Sequence, residues 1–155
     1  MTSRVMQRLP PPLLYAGALL LGHFLDRRWP LAEFPPAFRS AAHWIGLLFI
    51  LAGVVHAFSA ISLFVTSRTT IIPHGRSSAL VTRGAYRWTR NPMYVGLTLA
   101  YLGVAALLGS MWALPLLVVP LYVVHRYVIP MEERQLESAF GAAYEKYRTQ
   151  VRRWF

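Results

Sequence analysis

The chain has 155 residues, of which 55% are hydrophobic and only 14% charged, a balance too apolar for a soluble domain of this size. Lysine and arginine number 16 against 6 acidic residues, a net charge of +10, which in a membrane chain reflects basic loops that face anionic lipid on the cytoplasmic side. Nucleic-acid binding is disfavoured because the arginines are divided among segments separated by apolar runs, and the lack of cysteine excludes disulfides and thiolate chemistry without fixing the compartment.

Residues 1–12 form a short basic leader with Arg4 and Arg8 that ends in Pro10, Pro11 and Pro12. The apolar run 13–25 is short, but no small-x-small cleavage site precedes Asp26, Arg27 and Arg28. It therefore reads as a first span in a locally thinned bilayer rather than as a signal peptide. Residues 27–39 combine Pro30, Pro35 and Pro36 with Trp29, Phe34 and Phe38, the composition of an interfacial loop. Residues 42–65 carry no formal charge and give the clearest transmembrane helix. Of its two histidines, His43 lies near the start and His56 in the middle, and a lone histidine there reads as a helix-to-helix hydrogen-bond partner.

Residues 66–90 contain Arg68, Arg76, Arg83, Arg87 and Arg90 and no acid. Two further apolar runs, 92–108 and 111–129, are joined by Gly109 and Ser110 and predict a tight antiparallel hairpin, its second arm kinked by Pro115 and Pro120. From Pro130 onward Leu136, Phe140, Tyr144, Tyr147 and Val151 recur at helical spacing, which predicts one amphipathic surface helix opened by Pro130. The fold class is thus all-α, a polytopic membrane protein of about four transmembrane helices, the last two a tight hairpin, plus a C-terminal amphipathic helix. Residues 1–155 make a single domain, with the N-terminal spans in 1–65. The leader, central loop and tail are basic and the Gly109-Ser110 turn is not, so both termini fall in the cytoplasm; the loop with Arg27, Arg28 and Arg39 is the discordant piece.

Residues 77–96, S-S-A-L-V-T-R-G-A-Y-R-W-T-R-N-P-M-Y-V-G, are where basic, aromatic, amide and turn-forming side chains gather between apolar runs. Such a stretch is either a membrane anchor, with arginines at headgroups and aromatics in the interfacial belt, or a site. There is no acid between Glu33 and Glu132, so any site built on this loop must draw its carboxylate from Glu132 or Glu133. A charge at membrane depth costs at least ~2.5–3.5 kcal/mol, so these paired glutamates need a cation or ready solvent. The alternative is that they cap the tail helix, favoured by its macrodipole.

The string L-V-T-x-G-x-Y-R-x-x-R-N-P-M-Y-V-G, followed by Glu132-Glu133 and by F-G-x-x-Y-x-x-Y at residues 140–147, resembles the isoprenylcysteine carboxyl methyltransferase family and its phospholipid methyltransferase relatives. The likeness covers roughly residues 66–153, with both blocks in order across the hairpin. It implies an integral-membrane enzyme that uses S-adenosylmethionine to methylate a lipophilic acceptor: an isoprenylcysteine-like carboxylate, a phospholipid or a small hydrophobic molecule. It also implies residence in a bacterial inner membrane with the cofactor site facing the cytoplasm, and makes 66–155 the cofactor-binding and catalytic region. Carried over residue by residue, the cofactor pocket takes Ala79, Leu80, Val81 and Tyr86 from the loop. Asn91, Pro92, Met93 and Tyr94 come from the motif opening the hairpin, and Glu132 from the start of the tail helix. Ser78 stands where eukaryotic members often have histidine, Asn91 replaces the histidine of their R-H-P motif, and Arg90 joins the set as an arginine available to the cofactor carboxylate.

The cofactor's chemistry matches that inventory. A glutamate suits its ammonium, an arginine or backbone amide its carboxylate, and aromatic faces its sulfonium and adenine. No Gly-rich strand-to-helix turn is present, which excludes the soluble methyltransferase fold. A carboxylate acceptor needs no base, whereas an amine or hydroxyl would need one, with His74, His125 or the catalytic candidate Glu133 nearby. Arg126, the other catalytic candidate, would hold an anionic acceptor at the bilayer edge, or simply snorkel at the end of a span. No metal is implied. Two other classes stay open: a non-enzymatic adaptor whose basic loop binds anionic lipid or a partner protein, and a membrane reductase of the sterol-reductase type. Oligomeric state is left open.

Overall fold

The computed structural model describes residues 10–31, 36–66 and 80–155. Ser78, Ala79, His74 and most of the leader lie outside the described residues. The regular structure among the described residues is all helical. Helix α1 (Pro11–Arg28) starts on prolines, whose missing N–H is no loss in a first turn. The long apolar α2 (Pro36–Thr66) follows. A 3₁₀ turn (Gly84–Arg87) leads to α3 (Pro92–Leu108), which ends at Gly109 in the left-handed region, φ 63°. Helix α4 (Ala113–Phe140) is a continuous rod whose α-helical pieces Ala113–Leu116, Val118–Val123 and Ile129–Phe140 are joined through Leu117 and a π turn (Val124–Val128). Helix α5 (Ala142–Gln150) closes the chain. Two stretches, Ala37–Leu63 and Ala113–Phe140, are long and apolar enough to cross a membrane, and Pro92–Leu108 is a shorter apolar helix.

Pro130 does not open a separate tail helix. It sits at the second position of Ile129–Phe140, inside the rod. A proline clashes with the carbonyl four residues back, and the π turn that contains that residue, Arg126, widens the helix where relief is needed. The tail is also two helices rather than one, because Gly141 (φ 49°, ψ −123°) takes a conformation closed to other residues. The spaced positions still share one core: Tyr144 and Tyr147 are buried with Val81, Tyr86 and Ala60, and Leu136, Phe140 and Val151 pack against them.

Helices α2 and α3 run antiparallel at backbone contact. A Cβ on Gly53 would lie 2.6 Å from the Gly96 carbonyl oxygen, and one on Gly103 would lie 2.6 Å from that of Gly46. Glycine seven residues apart on both helices thus sets two crossing contacts, and small residues at a membrane-helix interface gain dispersion where lipid offers no hydrophobic drive. The hydrogen bond expected of His56 is not formed: its Nε2 is buried without a partner among the described residues. The principal partner of α3 is therefore α2, not the other arm of its hairpin. The two arms meet through a second core, in which Tyr94, Tyr101 and Ala105 face Ala113, Leu117, Val124 and Val128, with Tyr15 and Ala18 of α1 among them.

At the Gly109 end, Asp26 of α1 fastens the turn. Its carboxylate accepts from Ser110 Oγ and, at 3.2 Å, from the Trp112 amide, while Trp112 Nε1 donates to the Trp29 carbonyl at 2.7 Å. Asp26→Ala leaves those donors without their acceptor, which we expect to cost about 1–3 kcal/mol. Thermal unfolding of the detergent-solubilised protein checks this; a midpoint equal to that of an Arg28→Ala control would show the fastening to be idle.

Candidate functional site

At the opposite end of the hairpin, Gly84 (φ 61°) starts the 3₁₀ turn and sets Tyr86 inward. Asn91 keeps a non-helical backbone ahead of Pro92, which fixes where α3 begins. An asparagine here normally caps its helix, but this one makes no side-chain cap and instead donates from Nδ2 to the Arg153 carbonyl at 2.8 Å. Tyr94, on the first turn of α3, then faces the stretch of α4 just beyond the π turn.

There Tyr94 Oη donates to Glu132 Oε1 at 2.7 Å. The other carboxylate oxygen of Glu132 has no hydrogen-bond partner among the described residues. Behind this pair, Thr98 Oγ1 donates to the Tyr94 carbonyl at 2.8 Å and lies 3.0 Å from Tyr15 Oη. The hydroxyl hydrogen of Thr98 being spent on that carbonyl, Tyr15 is the donor to Thr98.

Glu133, the next residue, has a different environment. Oε1 meets Arg90 Nη2 at 3.2 Å and Arg153 Nε at 3.1 Å, and Oε2 meets Arg153 Nη2 at 2.6 Å. Its side chain is 14% exposed and that of Arg90 11%. Arg90 also donates from Nη1 to Tyr144 Oη at 3.3 Å, and its Nε is buried without a partner among the described residues. Tyr147 Oη donates to the Tyr86 carbonyl at 2.7 Å. Burial holds the Tyr86, Tyr144 and Tyr147 phenols above their usual range; neighbouring Tyr147 and Glu132 add to the shift at Tyr86, while Arg90 opposes it at Tyr144 and Tyr147. All three stay neutral at physiological pH.

The structure thus brings Tyr94 and Glu132 into contact, and sets Leu80, Val81, Tyr86 and Met93 in the apolar core beside them. Pro92 is buried as the first residue of α3. The Asn91 amide belongs to the tail, and Glu133 is clasped by two guanidiniums, a setting that makes a poor base and suits a structural ion pair. The cation that the paired glutamates require is therefore supplied, for Glu133, by the chain itself. Arg126 is exposed on the π turn, and His125 Nδ1 accepts from Trp154 Nε1 at 3.1 Å. Sequence reasoning passed over Arg153, Thr89 and Tyr15, and read Tyr144 and Tyr147 as a motif block and a packed face without a polar partner for either. The one available signal for Arg153 was that Glu133 needed a cation.

A family model described as phospholipid methyltransferase matches residues 41–143, the stretch that contains most of α2, all of α3, the Tyr94–Glu132 contact and Glu133. The chain belongs to this family. Within it, this phospholipid methyltransferase family member is 34% identical over 100 residues to a protein-S-isoprenylcysteine O-methyltransferase of Schizosaccharomyces pombe, covering 64% of this chain and 40% of the relative. It is 32% identical over 114 residues to the protein of the same name from Tribolium castaneum, covering 70% of this chain and 41% of the relative. The chain therefore spans about two-fifths of the length of these curated relatives.

The donor set fits S-adenosylmethionine. Among the described residues Glu132 has an oxygen open to an ammonium, and Arg90 has an unspent buried N–H for an anion. No group of three or more metal-ligating side chains occurs among the described residues.

Proposed function

We propose that this chain is an integral-membrane methyltransferase that passes a methyl group from S-adenosylmethionine to a lipophilic acceptor of the isoprenylcysteine-carboxylate, phospholipid or small hydrophobic class. The observation that carries the reading is the Glu132 carboxylate in the apolar rod, oriented by Tyr94 and with its second oxygen unpartnered among the described residues. A carboxylate left with an open oxygen in that setting calls for a cation.

The cofactor, when bound, supplies a methyl group on a sulfonium, already a strong electrophile. The protein's share is alignment and exclusion of water. Glu132 would hold the ammonium, with Tyr94 fixing the carboxylate's orientation. Arg90 would offer its Nε to the carboxylate of the amino-acid head. Val81, Tyr86 and Met93 would keep water from the adenine side; Ser78 and Ala79, which lie outside the described residues, remain in the proposed set on the family likeness alone. The exposed Arg126 would meet an anionic headgroup or acceptor carboxylate arriving from the bilayer. A carboxylate acceptor requires no base, which agrees with a site whose second glutamate is engaged by arginines. Arg83, Arg87, Arg148 and Arg152 flank this end of the molecule, so positive-inside logic turns it toward the cytoplasm, of a bacterial inner membrane in our reading, with about four spans in all.

Calorimetric titration of the detergent-solubilised protein with S-adenosylhomocysteine, beside an NADPH control, tests the reading. Micromolar binding of the first and none of the second is expected. Binding of NADPH instead would make the chain a reductase, and binding of neither by folded protein would leave an adaptor.

A further inference from the structure

The last residues of the chain fall beyond the family match, which ends at residue 143, yet their polar contacts converge on the candidate site. The Arg152 carbonyl accepts the Arg90 amide at 3.0 Å. The Arg153 carbonyl accepts from both Thr89 Oγ1, at 3.0 Å, and Asn91 Nδ2, at 2.8 Å. The Arg153 guanidinium takes both oxygens of Glu133. Trp154 hydrogen-bonds His125 on the π turn and stacks on it with ring centroids 6.3 Å apart. Residue 153 thus joins, through its main chain and its side chain, the two sequence blocks between which the Tyr94–Glu132 contact is made.

We propose that Arg153 is a positioning residue for the cofactor site: by holding Glu133 it leaves Glu132 as the single carboxylate of the pair open to a cationic head group. Adjacent carboxylates at a membrane boundary repel each other and compete for any cation that enters. Glu133, bridged by a bidentate arginine and a second guanidinium, is withdrawn from that competition. The backbone of Arg153 is itself pinned, since its carbonyl accepts from Thr89 and Asn91. This inference rests on the S-adenosylmethionine reading above.

The test is S-adenosylhomocysteine affinity, measured by calorimetry with a melting curve for every variant. Arg153→Ala is expected to bind about tenfold more weakly, and Arg153→Lys about threefold, because an ammonium keeps the charge but not the two-pronged geometry. The discriminating variant is Arg153→Ala combined with Glu133→Gln. Removing the freed charge should return the affinity most of the way to wild type, an outcome that a purely architectural tail would not give. Arg153→Ala within twofold of wild type, or a double variant no tighter than the single one, overturns the proposal. If Arg153→Ala does not fold, Arg153→Lys decides: threefold weaker binding at an unchanged melting midpoint upholds the proposal, and unchanged binding overturns it. A wild-type protein that binds no S-adenosylhomocysteine overturns the methyltransferase reading and this inference with it, whereas wild-type binding with insensitive Arg153 variants overturns this inference alone.

Discussion

Glu132→Gln is expected to weaken S-adenosylhomocysteine binding about 30- to 100-fold, the equivalent of roughly 2–3 kcal/mol for a charge-assisted contact reduced to a neutral one. The amide keeps the size of the side chain and an oxygen able to accept from Tyr94, so the hairpin end should pack as before. What disappears is the charge facing the ammonium. Tyr94→Phe should give a smaller loss, about tenfold, since the carboxylate stays charged but loses the donor that orients it. The order of the two variants carries the argument. Were Tyr94→Phe more harmful than Glu132→Gln, the tyrosine would be the contact residue and the glutamate only its support; were both within twofold of wild type, the site would lie elsewhere. Melting midpoints separate a lost contact from a lost fold.

A single methyl group at the α2–α3 seam should have the largest effect on stability. Gly53→Ala would put a Cβ 2.6 Å from the Gly96 carbonyl oxygen and 2.8 Å from the Ala100 nitrogen. Both are backbone atoms and cannot rotate aside, so the helices must separate along their length. Overpacking costs about 1–3 kcal/mol in ordinary cores, and a backbone clash falls at the upper end, which corresponds to a fall of roughly 6–12 °C in melting midpoint for a chain this long. Gly96→Ala should behave alike, its Cβ meeting the Gly53 carbonyl oxygen at 2.8 Å. Gly17→Ala is the control, since nothing lies within 4 Å of that position. Equal midpoints for the Gly53 and Gly17 variants would mean that the seam is looser than described.

Much of the helical plan follows from the sequence because its signals are long and one-sided. The uncharged run that becomes α2 and the apolar run that becomes α3 need no tertiary knowledge, and Asn91-Pro92 marks the start of α3 within the residue. The Tyr94–Glu132 contact was also accessible, since the scarcity of acids left few carboxylates to choose from and the family likeness singled out Glu132. Three features were not. The pairing of Arg153 with Glu133 spans the break at Gly141, and in a tail with Lys146, Arg148, Arg152 and Arg153 composition gives no reason to prefer one cation over another. Asp26, next to two arginines, reads as an ordinary flank of a span, whereas its partners lie across the molecule on Ser110 and Trp112. Pro130 reads as a helix start because proline usually is one, and only the wide turn before it lets the rod continue.

That wide turn bears on how insertions and deletions are read in this stretch. A π turn spends one residue more than an α turn over the same rise, and each residue of an α-helix advances the azimuth by about 100°. A chain one residue shorter between positions 124 and 128 would close that turn as ordinary α-helix and keep its glutamates aimed at Tyr94, losing only the relief at Pro130, whereas the same loss at positions 129–131 would swing them by about 100°. Length is therefore forgiving within these five positions and strict just after them: a homologue that loses one residue beyond the π turn would have its acidic pair pointing at a different neighbour.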